Sequence, residues 1–379
     1  MAFRIAIVGA GWYGCHIGLS LMSLGMDVEI FDKAHRPLHL ASGNNQFRLH
    51  QGFHYARHHA TRIQSRDGFI RFNERYPTLC VDVPDNIYAV PHDTSLIDFD
   101  TYKLIMVSSG LNFVEMPQGS DLLTNTEGMI RTHERVLLID RARRYFSERL
   151  KGVLHLDAIV DRIIDTDGGV LVNGRRYDYA IDATWGHFSK LPIPVVYEPT
   201  LLLYYETSEQ VPAITLVDGP LCSVYPTEDS NIYTLSSVPH TPLGRFDDPA
   251  TATACRDSVT SELVTIKRHA MEAQITTNMP SFRERFRFMG VQLAIKTKPI
   301  GGFDDRSCHV YRNGRSFVVM SGKIDTIFFA TERILSMIET ERSDLPAFDG
   351  GSIKQDILLS GWVRPGKMPA PGAGLDGSA

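Results

Sequence analysis

Gly9-Ala10-Gly11-Trp12-Tyr13-Gly14 stands between a short apolar run, Phe3 to Val8, and a stretch of helical pattern, Trp12 to Leu24. A stop at Gly25 and a second apolar run, Asp27 to Phe31, complete a strand-turn-helix-strand unit. In that context the three glycines have separate duties. Gly9 permits the tight turn, Gly11 lets backbone approach a pyrophosphate, and Gly14 lets the helix pack closely on the strand. The phosphates sit at the positive end of the helix. Asp32, with Lys33 beside it, lies about 20 residues beyond the glycines, where an acid accepts hydrogen bonds from a ribose diol and disfavours a 2′-phosphate. The same spacing recurs at Gly372-Ala373-Gly374-Leu375-Asp376-Gly377, but with no strand before it and no helix after it, so it carries no site.

Outward from this unit, Arg36 to Ala60 reads as a loop rich in His, Asn and Gly, too long for a mere connection. Leu137 to Leu150 is an amphipathic helix, followed by strand-like pieces at His155 to Asp165, Gly169 to Val172 and Tyr179 to Ala183. Pro199 to Val238 holds β-branched runs broken by turns, which predicts an antiparallel sheet. A helical stretch runs from Ser258 to Ile275, and a last strand-turn-helix spans Ser316 to Thr340. The expected fold is α/β plus antiparallel sheet: a discontinuous Rossmann-type domain over 1–62, 132–196 and 290–345, a mixed α+β substrate domain over 63–131 and 197–289, and a disordered tail over 364–379.

Composition narrows the function classes. The 379 residues are 43% apolar, enough for a sizeable core, and 39 Lys and Arg stand against 44 Asp and Glu without a basic block of the kind nucleic acid requires. Five scattered cysteines, Cys15, Cys80, Cys222, Cys255 and Cys308, form no C-x-x-C pair, which argues against a disulfide framework and a zinc ribbon. No run approaches the roughly 18 apolar residues of a membrane span, and the start reads directly into a strand. The expectation is a cytoplasmic protein with a small-molecule partner, no nucleic acid and no membrane.

The fingerprint alone does not separate NAD from FAD. Ala41-Ser42-Gly43-Asn44-Asn45-Gln46-Phe47-Arg48 follows the second strand in place of another βα unit. Here the chain resembles the D-amino-acid oxidase and sarcosine oxidase family of flavoproteins. That resemblance implies FAD as cofactor, with Ser42, Gly43, Asn44 and Asn45 touching the pyrophosphate and ribityl chain and Arg48 near the flavin ring. Asp182-Ala183-Thr184-Trp185-Gly186 and Val160 resemble the family's second adenosine-contacting segment. Ser321-Gly322-Lys323-Ile324 resembles the turn facing the flavin pyrimidine edge, where the helix dipole and Lys323 would stabilise charge on the reduced flavin. With Gly9, Gly11, Trp12, Tyr13, Gly14, Asp32 and Lys33, these are the expected cofactor contacts.

Arg48, His50, His54, Tyr55 and Arg57 are the expected catalytic wall, since the family builds its active site in the loop after the second strand. Arg57 could fork a substrate carboxylate. The spacing of His50, His54 and His58 also fits a metal-binding helix face or structural histidines; Gly52 and the lack of an adjoining carboxylate or cysteine weigh against metal. Tyr204 and Tyr225 read as packing residues, and Cys308 as a small buried thiol. The implied activity is oxidation of a C–N or C–O bond in an amine, amino acid or hydroxy acid by hydride transfer to flavin N5, followed by transfer to oxygen or another electron acceptor. Two alternatives stay open. One is a redox-neutral mutase resembling UDP-galactopyranose mutase, whose loop Gly52-Phe53-His54-Tyr55 partly resembles; the other is a non-catalytic FAD-binding subunit. A flavin monooxygenase is less favoured, because no Gly-Asp-Ala-Ala-His-like segment and no second nucleotide fingerprint is present.

Overall fold

The apolar run Arg4–Val8 (β1) is buried from Ile5 onward, and the reason is its place in the middle of a sheet. A computed structural model describes residues 3–117, 121–301 and 305–341. β1 pairs in parallel with Asp27–Phe31 (β2) on one side, Arg4 facing Asp27, and with Tyr179–Asp182 on the other, Ile5 facing Tyr179. Leu154–His155 extends the sheet beyond β2, and Ser316–Met320 extends it beyond Tyr179–Asp182, both in parallel. His309–Asn313 closes that second edge antiparallel. Six strands result, with helices Trp12–Ser23 (α1) and Ile327–Glu341 packed together upon them.

The second layer is an eight-stranded sheet. Its order is Arg287–Pro299, Val195–Glu206, Ile232–Ser237, Cys222–Pro226, Ala213–Leu216, Asn86–Pro91, Thr126–Thr132 and Val114–Glu115. All neighbours are antiparallel except Ala213–Leu216 with Asn86–Pro91. Helix Ser261–Thr276 covers one face, placing Met271 and Ile275 against Leu203, Tyr205 and Leu235 in one apolar cluster. The fold class expected from the sequence, α/β plus antiparallel sheet, is the one observed.

Two of the expected domain boundaries fall inside elements. The expected boundary at 62/63 cuts helix His59–Arg75, whose Phe72 shares a core with Trp12, Phe146 and Phe328 and so belongs with the dinucleotide half. The boundary at 289/290 cuts strand Arg287–Pro299, which pairs along its length with Val195–Glu206. His155 to Asp165 is not one strand either. Leu154–His155 joins the main sheet, while Ile163–Thr166 forms a separate three-stranded sheet with Gly169–Val172 and Arg175–Tyr177. The expected helical stretch Ser258 to Ile275 is helix Ser261–Thr276, capped by the Thr260 side chain, and a second helix, Pro249–Asp257, capped by the Asp248 side chain, precedes it. The expected tail at 364–379, the second glycine motif and residues 342–345 lie outside the described residues. Among the described residues no helix is long and apolar enough to cross a membrane.

Candidate active site

The turn before α1 is shaped by backbone contacts that exclude side chains. Gly9 has φ of 101°, in the region that favours glycine, and a Cβ at Gly14 would stand 1.8 Å from the Gly9 carbonyl oxygen. A Cβ at Gly11 would come within 2.7 Å of Ser42 Oγ. α1 has no side-chain cap of its own; Ser42, from the 3₁₀ turn Ala41–Gly43, accepts a hydrogen bond from Trp12 N at 3.2 Å instead. Asp32 accepts from Ala10 N at 2.6 Å and Ala34 N at 2.8 Å. An ionised carboxylate has about four acceptor sites, so capacity for a ribose diol remains.

Beyond this turn a cavity of about 560 Å³ opens between the two large sheets. Of the expected cofactor contacts, Gly11, Trp12, Tyr13, Ser42, Asn44, Asn45, Arg48, Ala183, Trp185, Ser321, Gly322, Lys323 and Ile324 border it. The buried indole Nε1 of Trp185 has no hydrogen-bond partner among the described residues, the mark of a donor awaiting an acceptor. A glycine cradle, a helix N-terminus and this donor fit a dinucleotide's phosphates and polar edges.

Several expected contacts have other duties. The Trp12 ring is in the core, edge-on to Phe72 and Phe146, so only its backbone faces the cavity. The Tyr13 hydroxyl lies within 2.5–2.7 Å of Ser321 Oγ, the Lys323 carbonyl and Thr326 Oγ1, fastening α1 to the last turn. Gly43 is closed off, since a Cβ there would meet Leu38 O at 2.0 Å. The Asn44 and Asn45 amides donate to carbonyls of their own loop. Thr184 is held by Asp182, Lys33 is exposed, and Val160 packs beside Val170 and Tyr177; with Gly9, Gly14, Asp32, Gly43 and Gly186 they lie outside the cavity lining.

All five members of the expected catalytic wall border the cavity. Strand Arg48–Leu49 pairs with Arg135–Leu137, and strand alternation turns Arg48 and His50 to one side and Leu49 into the core. Arg48 donates to Thr215 Oγ1 at 2.6 Å and lies over the Tyr225 ring at 4.2 Å. Residues 50–57 form turns rather than a helix, and His58 caps helix His59–Arg75, so the metal reading lacks its helical face. His50 and His54 are enclosed with ring centres 6.4 Å apart. Burial holds both imidazoles well below their ordinary range, with Lys323 and Arg48 adding to the effect. His50 Nδ1 is 3.4 Å from Asp325 Oδ2, and burial pushes the Asp325 carboxyl up. Tyr55 lies under Lys323 Nζ at 4.5 Å. Arg57 departs from expectation: it is ion-paired to Asp218, a protein carboxylate, where a substrate carboxylate had been foreseen.

Sequence reasoning missed Lys296, Lys298, Glu198, Arg306, Asp218 and Asp325, which also border the cavity. Lys296 and Lys298, two apart on one strand, share a face, a signal available from period alone. Glu198 faces Lys296 in register and pairs with Lys298. Lys296 is pulled down to about 7 by burial and by the neighbouring Lys298 and Lys323, against the pull of Glu198. Cys308 is buried, as expected.

FAD-dependent monooxygenase FPY4 of Fusarium mangiferae is 57% identical over 337 residues, covering 89% of this chain and 91% of that protein. The chain belongs to that enzyme's family. FAD-dependent monooxygenase kojA of Aspergillus flavus is 29% identical over 371 residues, covering 88% of this chain and 85% of its own. No family model matches. Among solved structures, glycine oxidase from Geobacillus kaustophilus superposes with a TM-score of 0.69 at 15% identity, covering 89% of this chain and 95% of that one. NikD, an amino acid oxidase, gives 0.68 at 11%, covering 92% and 96%. These likenesses show a shared FAD-binding oxidoreductase fold, in line with the resemblance drawn from Ser42 to Arg48. As a member of the FPY4 family the chain is an FAD-dependent enzyme, which favours the oxidoreductase over the mutase and the non-catalytic subunit.

Proposed function

We propose that this FAD-dependent enzyme oxidises a C–N or C–O bond of a small polar substrate: an amine, an amino acid or a hydroxy acid. FAD, when bound, would supply the hydride acceptor and pass the electrons on to oxygen or another acceptor. Gly9, Gly11, Gly14, Asp32 and Ser42 would hold the adenosine diphosphate half, and Ser321 to Ile324 would line the flavin end of the cavity. The observation that carries the reading is the pair of imidazoles, His50 buried and His54 half-buried, on the wall of a cavity that begins at the pyrophosphate turn. A substrate amine or hydroxyl must lose a proton as it is oxidised, and a neutral imidazole is the acceptor suited to neutral pH. With Nδ1 turned to Asp325, His50 offers Nε2 for that proton.

A second reading, oxygen insertion, is favoured by the names of the two curated relatives. It converts a C–H bond, oxygen, a reduced nicotinamide and a proton to an alcohol, water and the oxidised nicotinamide. Anaerobic addition of pooled amino acids, amines and hydroxy acids to the FAD-loaded protein separates the two. Bleaching of the flavin absorption by one pool supports dehydrogenation. Bleaching by NADH or NADPH instead, with oxygen uptake in air, supports insertion, and a flavin that neither reduces overturns both.

A further inference from the structure

Asp325 is enclosed by protein at 2% exposure, and neither of its side-chain oxygens has a hydrogen-bond partner among the described residues. Two further buried polar atoms beside it are in the same condition, Nδ1 of His50 and Oγ of Ser65. His50 Nδ1 is 3.4 Å from Asp325 Oδ2, and the Ser65 hydroxyl, on helix His59–Arg75, is near enough to draw the Asp325 carboxyl down. That helix is pressed onto the acid: a Cβ at Gly68, one turn beyond Ser65 on the same face, would meet the Asp325 carbonyl oxygen at 1.9 Å. Unpaired polar atoms are rare in folded interiors, and a cluster of them on two sides of one carboxyl marks a polar network rather than simple packing.

Burial opposes a positive charge on His50, and so do Lys323, His54 and Arg48. Tyr55 packs against the ring at 5.7 Å between centres. An imidazole so placed is by itself a poor proton acceptor. Among the described residues Asp325 is the carboxylate that reaches the ring. Lys323 favours its ionised form, while burial and the Glu134 carboxyl oppose it. An ionised Asp325 accepts from Nδ1–H, which leaves the Nε2 lone pair free and favours the charge that the ring gains with a proton. A neutral acid donating to Nδ1 would instead put the ring hydrogen on Nε2, where nothing could then be accepted. We propose that Asp325, backed by Ser65, is the positioning residue that fixes His50 as the Nδ1–H tautomer and enables it to take the substrate's proton at Nε2. This rests on the oxidase reading and deepens it. The proton passes from the substrate's nitrogen or oxygen to Nε2, the Nδ1 hydrogen stays on the ring, and Asp325 remains a carboxylate throughout.

The test labels the histidines of FAD-loaded protein with ¹⁵N and reads the His50 ring nitrogens by long-range proton–nitrogen NMR in mildly alkaline buffer. The His50 signals are those missing from His50→Gln. The wild type should hold Nδ1–H over Nε2–H by roughly tenfold or more, the scale of one charge-assisted hydrogen bond. Asp325→Asn, whose amide can donate to Nδ1, should invert that preference. Ser65→Ala, the milder change, should reduce it without inverting it, and FAD content and thermal unfolding report that each fold holds. The proposal is overturned if wild-type His50 carries its hydrogen on Nε2, or if Asp325→Asn leaves the tautomer as it was. The wild-type spectrum decides even where a variant does not fold. Failure of every substrate pool to bleach the flavin counts against the oxidase reading instead, and the hold of Asp325 on His50 is still read from the same spectra.

Discussion

Glu134 shows how a single buried group carries consequences for the whole protein. It is 1% exposed, accepts from Tyr88 Oη, Asn86 Nδ2 and Gln51 N, and burial pushes its carboxyl up to about 7 against the pull of Arg48. Its folded value is above the unfolded value of 4.5, so the folded protein holds an extra proton between the two. The stability it contributes is complete below about 4.5 and is lost as the pH rises through 7. His50 and His54 act oppositely: their folded values are depressed, so they weaken the fold as the pH falls below 6.5. Glu134→Gln should isolate the carboxyl, flattening the decline between pH 4.5 and 7 by an amount on the order of 3 kcal/mol. Chemical denaturation of both proteins across that range measures it; parallel curves would show that Glu134 titrates normally. At this scale glycine positions were legible in sequence, since the Gly14 contact with Gly9 follows from the motif, whereas Glu134 was not, because nothing in its neighbourhood announces burial.

At the scale of elements, α1 depends on a partner remote in sequence. Its N-cap is Gly11, which has no side chain, and Ser42 Oγ takes the Trp12 N–H while Trp12 Nε1 donates to the Ser42 carbonyl. One loop thus completes the helix terminus that is expected to face the phosphates. Ser42→Ala should cost the FAD-free protein about 1 kcal/mol, the usual loss for a helix cap, and should also weaken FAD retention. Unfolding in denaturant and a flavin titration report the two effects separately, and an unchanged FAD affinity would remove Ser42 from the cofactor contacts. The strand Arg287–Pro299 makes the complementary point. It runs through the expected boundary at 289/290 and pairs along its length with Val195–Glu206, a partner about 90 residues away that no local pattern names.

Across the whole molecule, the cavity joins surfaces from both sheets: Gly11 and Ser42 from the dinucleotide half, Leu216 to Ser223 and Lys296 from the antiparallel sheet. A ligand spanning them binds only the folded, assembled chain. FAD at about 100 times its dissociation constant should therefore add about 2.7 kcal/mol to the unfolding free energy and raise Tm by roughly 4 °C for a chain of this size. Thermal scans of stripped and reloaded protein decide the matter, and coincident transitions would mean that FAD does not bind the native state.

The sequence by itself determined the strand-turn-helix-strand unit, the glycine cradle, the antiparallel sheet and the loop from Ser42 to Arg57 as one wall of a site. Local rules suffice for these: φ preference, helical and strand period, and the spacing of an acid after a glycine turn. Only the tertiary structure decided that Arg57 is held by Asp218, that the Trp12 ring is core, and that Asp325 stands beside His50 and Lys296 acts on His54. Those pairings join residues far apart in the sequence, for example Arg57 with Asp218 at a separation of 161. Long-range partners follow from how the two sheets close on each other, and burial, which sets the charge of every group in the cavity, exists only once they have closed.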